Sequence, residues 1–583
     1  MRAHLWLSFA LLISPLVSAC SPTAADTTKD GQASAVRAFP SRKAKAATST
    51  TTAEGPSAPA SEYSYIGQTV IQALSTPQGH LNWQNRTWGT SDDNELNPGW
   101  LLQTPLEKYW GAPVADLPLP QLCAAGTTNC DPDYQLRLCT YQADCDSGIC
   151  AEVLSSVTKP NGIPRKMCTG HSDSIYDEFY KQMISGQDFV DVSSFNLPDG
   201  RFPVAMRNAI TYLANRTSPP QVRLLFGNSP GSDLTFKIDD VLHTLTRDVP
   251  ASSAIRVFVG QYRYNVDSFN HSKIVAVDGK SAIIGGENLL GTHYMNLNPV
   301  HDVSMRISGS AAVHAHLFLN ELWAFTCNNK TAGGAASTVA LPTSPSKCPI
   351  AYDAFLAPSG NGHTKVITVG RLGRIGDNAS DDARIAMISA AKKTVRISQQ
   401  DLGPLRVLGI AVGGTWPFAL FAELGKAMGR GVDVTIVVSN QNAVAGGLKG
   451  PDATYSNNWS VQDVAAQLRT YLLQHGELLP AGTIVDKLLC SHFRIAPLRS
   501  SMDDQWPDGN VFANHAKTFI VDDKAFYIGS HNLYAANLAE YGVIVDDESA
   551  AQEMVASYWS KVWEFSSRVA ISGAASGVCP TSM

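Results

Sequence analysis

Two copies of one short pattern stand out in this chain: a histidine, a lysine two residues later, and an aspartate five residues after the lysine. The first copy is His271, Lys273 and Asp278, and the second is His515, Lys517 and Asp522. One such match is a weak signal in a chain of 583 residues, but a repeat of the same residue types at the same spacing is a strong one. The pair predicts one site built from two similar segments.

Both copies continue in the same way. After six intervening residues, the aspartate is followed by Gly285-Gly286-Glu287-Asn288 in the first copy and by Gly529-Ser530-His531-Asn532 in the second. Asn270 and Asn514 precede the two histidines. Gly286 and Ser530 are predicted to lie in tight turns next to the histidines, and together with Asn288 and Asn532 they are the predicted substrate-contacting residues. His531 stands where the first copy has Glu287, and the sequence leaves open whether it lines the pocket.

Two histidines and two lysines suit the hydrolysis of a phosphodiester. The unperturbed pKa of histidine is about 6.5, so a neutral imidazole can attack phosphorus while a second, protonated imidazole gives its proton to the leaving oxygen. A side-chain nucleophile divides a slow hydrolysis into two easier steps. Alternate residues of a strand lie on one face, so Lys273 and Lys517 are predicted to neutralise phosphoryl oxygens beside their histidines.

A histidine with such a role usually has its second ring nitrogen held by a carboxylate. The candidates are Asp302, which lies 31 residues after His271, and Glu540, which lies 25 residues after His515. The alternative is that both are ordinary acids at strand ends. Asp278 and Asp522 are predicted to be structural, because short carboxylates commonly bind backbone N–H groups in turns.

The composition indicates a globular protein and argues against one class of partner. With 44% hydrophobic and 16% charged residues, the chain can bury a large core. Its net charge of -6 differs from the basic balance of proteins that coat nucleic acids. We therefore expect no nucleic-acid partner, and we expect a monomer.

The N-terminal region predicts export. Residues 1–19 combine Arg2, an apolar run from Leu5 to Val17 and small residues before Cys20, as an export signal does. The run is too short to span a bilayer. Cys20 resembles the acylated cysteine of bacterial lipoproteins and is the predicted lipidation site, with a plain signal peptide cut nearby as the alternative. Residues 20–61 are rich in Ala, Ser, Thr, Pro and Lys, which predicts a flexible tether.

The cysteines indicate an oxidising compartment. Of eleven cysteines, ten remain once Cys20 is set aside, an even number suited to disulfides. Six of them lie from Cys123 to Cys168, within a predicted cysteine-rich insertion at about residues 120–170. Zinc is the rival explanation, but the spacings lack a paired Cys-x2-Cys arrangement. Disulfides are the prediction, with no metal site.

The order of predicted elements repeats, because the two motif histidines lie 244 residues apart (515 − 271). The first half has predicted strands at 191–195, 222–226 and 273–277 and a helix at 203–214, and the second has helices at 382–392 and 417–428 and strands at 394–398, 432–438 and 517–521. Alternation of strands and helices indicates an α/β fold with mixed or parallel sheets. The predicted halves, 62–350 and 351–583, are linked around 329–346 within one compact body.

The motifs and four further segments resemble the phospholipase D superfamily, and within it the secreted bacterial group found in actinomycetes. The segments are Gly99–Pro105, Leu322–Cys327, Ile397–Leu402 and Phe526–Tyr534. The resemblance implies a bilobal α/β fold of two similar halves, each with a central mixed sheet flanked by helices, and an active site at their junction. It implies no cofactor and no catalytic metal.

The same resemblance implies roles for individual residues. His271 would be the nucleophile that forms a phosphohistidine, and His515 the general acid and later the base. Asp302 and Glu540 fall where the family has carboxylates that orient the histidines. Relatives commonly have Asp at position 540, so Glu540 keeps the charge and lengthens the arm.

The sequence as a whole therefore predicts an exported phospholipase D. It would act at a phospholipid membrane or vesicle surface, hydrolysing phosphatidylcholine or a similar lipid to phosphatidic acid and a free alcohol, with transfer to other alcohols as well. The alternatives are a secreted phosphodiesterase or nuclease of the same superfamily, and a non-catalytic surface lipoprotein.

Overall fold

A computed structural model gives the fold of most of the chain. It describes residues 62–583 except 125, 229–236, 266–267, 329–336, 343–346, 355–359, 408–409, 414, 445–457, 535, 574–578 and 580–583. The predicted export signal (1–19), the lipidation site Cys20 and the tether (20–61) lie outside the described residues.

The described residues form strands and helices in alternation. The strands are β1 Trp88–Asn94, β2 Leu101–Thr104, β3 Cys150–Val153, β4 Arg165–Cys168, β5 Phe189–Ser194, β6 Gln221–Gly227, β7 Arg256–Asn265, β8 Ser268–Phe269, β9 Ile274–Val277, β10 Ser281–Gly285, β11 Asp302–Ser308, β12 Ser337–Leu341, β13 Thr364–Arg371, β14 Thr394–Gln399, β15 Leu405–Val407, β16 Ile410–Gly413, β17 Asp433–Val438, β18 Phe493–Pro497, β19 Lys517–Val521, β20 Ala525–Gly529 and β21 Glu540–Val545. The helices are α1 Tyr65–Leu74, α2 Ser174–Ser185, α3 Phe202–Ala214, α4 Ile238–Thr246, α5 Gly291–Tyr294, α6 Ala311–Asn328, α7 Ala379–Ala390, α8 Phe418–Gly429, α9 Val461–Gln474, α10 Val485–His492, α11 Glu548–Met554 and α12 Ser560–Ser566.

Each half is built on a mixed sheet. The two sheets share one order over seven strands, with β12 added at one edge of the first sheet and β1 at the opposite edge of the second. The first sheet runs β12-β7-β6-β5-β9-β10-β11-β2 and the second runs β18-β17-β14-β19-β20-β21-β13-β1. In each sheet three neighbouring strands are parallel, and the strands that follow them are antiparallel. The predicted α/β class with two similar halves is confirmed.

Burial of apolar side chains explains why the motif strands were predictable. All residues of β9 and β19 are buried, as expected for strands covered on both faces. Helices α2, α3 and α4 cover the outer face of the first sheet, and α1 with α7 to α10 covers that of the second. The inner faces of both sheets share one core with α6, α11 and α12. Both halves are thus parts of one folded body.

The predicted boundary near residue 350 does not follow the sheets. Strand β1 lies in the N-terminal half by sequence but pairs with β13 of the second sheet, and α1 packs into the core on that sheet's outer face. Strand β12 lies inside the predicted link and pairs with β7 of the first sheet. Both strands cover sheet edges whose N–H and C=O groups need partners, a long-range requirement that local sequence does not encode.

All ten cysteines after Cys20 are paired. The disulfides are Cys123–Cys130, Cys139–Cys150, Cys145–Cys168, Cys327–Cys348 and Cys490–Cys579. Cys139, Cys145 and Cys150 lie close enough together to hold an ion, but each is already in a disulfide. The predicted disulfides are confirmed, and they indicate an oxidising, extracellular compartment.

The cysteine-rich insertion forms a small unit on the outer helices of the first half. Its core consists of Tyr134, Leu136, Val153 and Met167, which is too small to be stable without further support. The unit is attached to α2, where Asp177 accepts hydrogen bonds from the backbone N–H groups of residues 154 and 155. Within the described part of the chain, the helices lack the length and apolar run needed to cross a bilayer.

The first prediction concerns the crosslinks of this insertion. A disulfide removes more entropy from the unfolded chain when its loop is longer, and Cys145–Cys168 spans 23 residues while Cys123–Cys130 spans 7. Replacing Cys145 and Cys168 by Ser should cost about 3 kcal/mol of local stability, roughly 1 kcal/mol more than the same change at Cys123 and Cys130. Hydrogen exchange of the β3 and β4 amides measures both losses. Equal losses would contradict the loop-length explanation.

Candidate active site

The residue before each motif histidine ties its segment to the parallel strands. The Asn270 amide accepts a hydrogen bond from the backbone N–H of Ser272 (3.1 Å) and donates to the carbonyls of Ser194 (3.1 Å) and Leu225 (3.2 Å). Asn514 accepts from the backbone N–H of Ala516 (3.0 Å) and donates to the Val437 carbonyl (3.3 Å). Both asparagines are fully buried, so these bonds fix the position of the backbone at each histidine.

The backbone of each histidine is bound to the opposite half. The N–H of His271 donates to the carbonyl of Ala539 (2.7 Å), and the N–H of His515 donates to the carbonyl of His301 (2.7 Å). Ala539 and His301 are the residues directly before Glu540 and Asp302. These bonds bring each candidate carboxylate to the histidine of the other half.

The side-chain pairs are crossed in the same way. Nδ1 of His515 lies 2.6 Å from Oδ2 of Asp302, in hydrogen-bond geometry. Nδ1 of His271 lies 3.1 Å from Oε1 of Glu540, at an angle outside hydrogen-bond geometry. The sequence named both acids as candidates without deciding which histidine each one contacts, and the structure pairs each acid with the histidine of the other half. A carboxyl at Nδ1 orients the ring, as a histidine that reacts through Nε2 needs.

The two histidine rings face one another across the junction of the halves. Their centroids lie 6.4 Å apart with the planes at 71°, and both rings are almost fully buried. Nζ of Lys273 donates to the His271 carbonyl (2.6 Å), and Nζ of Lys517 donates to that of His515. The two motifs therefore form one buried cluster of two imidazoles, two amines and two carboxyls.

Comparisons with known proteins identify this cluster. Residues 385–563 match a family model described as a cardiolipin synthase, PLD-like domain. A phospholipase D from Streptomyces antibioticus is 29% identical over 467 residues, which cover 70% of this chain and 79% of that protein. The chain is therefore similar to the phospholipase D superfamily. The resemblance seen in the sequence is confirmed, and both matches support phosphodiesterase activity.

Two solved structures are also similar. A phosphatidylserine synthase of Haemophilus influenzae has a TM-score of 0.43 at 12% identity, covering 67% of this chain and 84% of that one. A polyphosphate kinase of Porphyromonas gingivalis has a TM-score of 0.35 at 10% identity, covering 66% of this chain and 47% of that one.

The turn residues of the phospholipase D motifs lie beside the cluster. A Cβ on Gly286 would overlap Oδ1 of Asp302, so only glycine fits there. Oγ of Ser530 accepts a hydrogen bond from the backbone N–H of residue 541 (3.0 Å). Oδ1 of Asn288 and Oδ1 of Asn532 have no hydrogen-bond partner among the described residues. Their contact with a substrate stays a prediction.

The motif aspartates lie at the far ends of the strands. Asp278 accepts hydrogen bonds from the backbone N–H groups of residues 187, 188 and 189, at 2.7 to 2.9 Å. Asp522 accepts from residues 392, 393 and 394, at 2.7 to 2.8 Å. Both have positive φ, which aspartate tolerates better than most residues. Each of them joins the motif hairpin to the start of the neighbouring strand.

Several residues near the cluster were missed or left open at the level of sequence. Tyr294 donates to Oδ2 of Asp302 (2.8 Å) and accepts from the N–H of residue 288 (3.0 Å). It lies in the short helix α5, with no motif to mark it. His531 bonds to Ser380 (2.9 Å) and Arg384 (2.8 Å) on α7. Burial lowers the pKa of His531 to about 3, so it is neutral.

Burial controls the protonation of the cluster. Burial and the neighbouring lysines lower the pKa of both His271 and His515 well below 6.5. Burial raises the pKa of Asp302 to about 6 and that of Glu540 to about 8. Near pH 7, Asp302 is therefore mostly ionised and Glu540 mostly protonated. The two histidines face carboxyl groups in different states.

The same burial disfavours the charged form of both lysines in the cluster. Burial and the charge of Lys517 lower the pKa of Lys273 well below its usual value, and burial lowers that of Lys517 to about 7. Both amines are suited to bind an anion, because a phosphodiester would supply negative charge that stabilises their protonated forms.

The second prediction follows for Lys517. Its folded-state pKa lies below the unfolded value of about 10.4, so its charge destabilises the fold fully below pH 7, and the penalty disappears as the pH rises from 7 to about 10. Lys517→Met should raise the free energy of unfolding by about 1–4 kcal/mol at pH 6, with a smaller gain at pH 9, while activity is lost.

Denaturant unfolding at the two pH values measures the effect. Lys524→Met is the matched control, because Lys524 lies at the surface in an ion pair with Glu548 and should give no gain. A Lys517→Met gain that is equal at pH 6 and pH 9 would contradict the assigned pKa.

Proposed function

We propose that this protein is an exported phospholipase D that hydrolyses phosphatidylcholine or a similar phospholipid to phosphatidic acid and a free headgroup alcohol. The main support is the pair of buried imidazoles, 6.4 Å apart between ring centroids, each beside a lysine and a carboxyl. This is the arrangement that double displacement at a phosphodiester needs. The match to a phospholipase D over most of the chain is consistent with it.

In the first step, Nε2 of His271 attacks phosphorus and the bond from phosphorus to the headgroup oxygen breaks. Protonated His515 gives its proton to that oxygen, so the alcohol leaves neutral and a phosphatidyl group remains on His271. In the second step, His515 takes a proton from water, which attacks phosphorus and displaces His271. An alcohol in place of water gives a new phospholipid, which is transphosphatidylation.

The carboxyls favour this division of roles. In the empty site, burial and the two lysines hold the pKa of His515 well below 6.5, so the imidazolium that a general acid needs would require ionised Asp302 together with the negative charge of the bound phosphodiester. Glu540, mostly protonated near pH 7, gives His271 no such stabilisation, and a neutral imidazole is the form that attacks. Lys273 and Lys517 would neutralise the non-bridging phosphoryl oxygens as charge develops, with Asn288 and Asn532 donating further hydrogen bonds.

Export and membrane attachment complete the proposal. The five disulfides fit an extracellular protein. The signal at residues 1–19 would direct export, and acylated Cys20 would anchor the monomer to the cell envelope by a tether, or the protein would be secreted. In both cases the enzyme would meet its lipid at a membrane or vesicle surface, without a nucleic-acid partner.

The third prediction tests the substrate class and the intermediate. The mature protein, incubated with phosphatidylcholine vesicles and ethanol, should release choline and form both phosphatidic acid and phosphatidylethanol, because an alcohol can capture the phosphoenzyme. Mass spectrometry measures the lipids, and phosphorus NMR of denatured enzyme detects phosphohistidine. His271→Ala should lose both signals.

Three outcomes would count against this prediction. Normal turnover by His271→Ala would remove the nucleophile from its assigned role. Cleavage of single-stranded DNA without any lipid product would favour a nuclease. Absence of turnover with every diester would favour a non-catalytic surface protein.

The fourth prediction tests the crossed carboxyls. His515→Ala should lose activity on choline lipids but recover partly on a nitrophenyl ester, whose leaving group needs no proton. Asp302→Asn should share that recovery, since it acts through His515. Glu540→Gln should be equally impaired on both substrates, since it acts through His271. We expect a loss of about 10- to 100-fold for Asp302→Asn and a smaller loss for Glu540→Gln, because Glu540 is mostly protonated near pH 7.

The control is Glu321→Gln, at the surface in an ion pair with Arg86, which should behave as wild type on both esters. If Glu540→Gln recovers on the nitrophenyl ester and Asp302→Asn does not, each acid serves the histidine of its own half and the crossed assignment is wrong.

A further inference from the structure

A chain of hydrogen bonds crosses the junction of the halves beside the proposed general acid. It begins at Asn514, whose Nδ2 donates to Oγ of Ser398 on β14 (3.1 Å). The Ser398 hydroxyl is bonded to the hydroxyl of Tyr558 (2.9 Å), which lies 3.1 Å from Nε2 of His301. Nδ1 of His301 is bonded to the carbonyl of Thr104 on β2 (3.0 Å). We refer to these five residues as the junction chain.

The protons of the junction chain can be arranged in one direction only. A carbonyl only accepts, so the proton of the His301 ring is on Nδ1. Burial lowers the pKa of His301 to about 4, so near pH 7 the ring is neutral and its Nε2 accepts the single O–H of Tyr558. The Tyr558 oxygen then accepts from Ser398, and the Ser398 oxygen accepts from Asn514. All five residues are at most 2% exposed, so water does not compete for these bonds.

Two members of the junction chain adjoin the reacting groups. Asn514 directly precedes His515, and His301 directly precedes Asp302. The N–H of His301 donates to the Ala513 carbonyl (2.9 Å), and the His301 carbonyl accepts from the N–H of His515 (2.7 Å). A shift of His301 would therefore move Asp302 relative to His515, whose Nδ1 lies 2.6 Å from the Asp302 carboxylate.

The corresponding bonds of the first half close within that half. Ser193 is the fifth residue of β5, as Ser398 is of β14. It accepts from the asparagine before its motif histidine (2.8 Å), but its hydroxyl is otherwise bonded to Ser272 of the same motif (2.7 Å). The counterpart of His301 is Ala539, which has no polar side-chain atom. The junction chain thus supports one motif histidine, the one that would give and take the proton.

Tyr558 comes from a distinctive turn. Residues Val555–Trp559 form a π-helical turn between α11 and α12, a form that is rare in helices and frequent at functional sites. The Tyr558 ring stacks beside that of His301, with the centroids 5.6 Å apart and the planes at 21°. Trp110 contacts the same imidazole edge-on, with the centroids 5.0 Å apart. The His301 ring is therefore held by packing as well as by hydrogen bonds.

We propose that Tyr558 and His301 are positioning residues for the general acid His515. They would hold its ring against Asp302 in the geometry for proton transfer to the leaving oxygen. This inference rests on the proposed phospholipase D activity. Without the Tyr558 hydroxyl, Nε2 of His301 would be a buried acceptor without its donor, and the position of the crossed pair would be less well fixed. Protonation of the headgroup oxygen would suffer, while attack by the first motif histidine would not depend on the junction chain.

Competition between two leaving groups tests the proposal. The protein is incubated with vesicles that contain both phosphatidylcholine and a phosphatidyl nitrophenyl ester, and choline and nitrophenol are measured in the same sample. Their ratio gives the ratio of kcat/KM for formation of the phosphoenzyme, and nitrophenolate needs no proton to leave. The ratio depends neither on the amount of folded enzyme nor on the later hydrolysis step, so a merely structural defect leaves it unchanged.

We expect Tyr558→Phe to lower the ratio of choline to nitrophenol about tenfold, as for the loss of a group that orients a histidine from behind. Ser398→Ala breaks the junction chain at its next member, should have a similar effect and serves where Tyr558→Phe fails to fold. Tyr180→Phe is the matched control, because it removes a buried hydroxyl that donates to the Val157 carbonyl (2.7 Å) on the outer side of the first half. Ser193→Ala breaks the corresponding bonds of the first half and should slow both esters alike. Both of these variants should keep the wild-type ratio.

The outcomes separate this inference from the proposed function. If both products form and the ratio is the same in wild type, Tyr558→Phe and Ser398→Ala, the junction chain does not act on proton transfer, while the phospholipase D activity stands. If Ser193→Ala lowers the ratio as much as Tyr558→Phe, the effect is not specific to His515 and the inference is also wrong. If the wild type releases neither choline nor nitrophenol, the proposed function fails, and the positioning role fails with it.

Discussion

The exchange of partners between the two halves is the constraint on which the rest of the site depends. The backbone N–H of each histidine donates to a carbonyl of the other half, that of the residue just before the acid. The Nδ1 atom of the same histidine contacts that acid. A half by itself therefore contains an imidazole and a lysine without the carboxyl that holds the ring. Small displacements between the halves would change both pairs at once, which explains why the two sheets share one core instead of forming separate domains.

The same junction concentrates groups that would prefer water. Two amines, two imidazoles and two carboxyls are nearly fully buried together, and their shifted pKa values record the cost of that burial. Such a cluster persists only if the surrounding structure holds it. Asn270 and Asn514 hold one end of each motif, and Asp278 and Asp522 hold the other end. The fold maintains an arrangement that becomes favourable when an anionic phosphodiester enters.

Local pattern predicted the elements well and long-range pairing poorly. The helix predicted at 203–214 is observed at Phe202–Ala214, and the strand predicted at 517–521 is observed at Lys517–Val521, because apolar periodicity and the flanking turns are local signals. The placement of β1 on the second sheet was not predictable, since an edge strand can pair with either sheet. Both acids were named from the sequence, but their crossed pairing was not, for a related reason. In both halves the acid follows a histidine at a similar interval, and spacing cannot distinguish pairing within a half from pairing between halves.

The duplicated motif is also too symmetric to decide which histidine attacks. His271 and His515 each follow an asparagine, precede a lysine by two residues and have the same lysine contact, so the direction of the reaction must come from residues that differ between the halves. Asp302 against Glu540 is such a difference, since burial leaves the first mostly ionised and the second mostly protonated near pH 7. Gly286 against Ser530 is another, because only the glycine lets the shorter acid approach so closely. The similar backbones of the two motifs set the geometry of the site, and these differences between corresponding residues determine which histidine attacks.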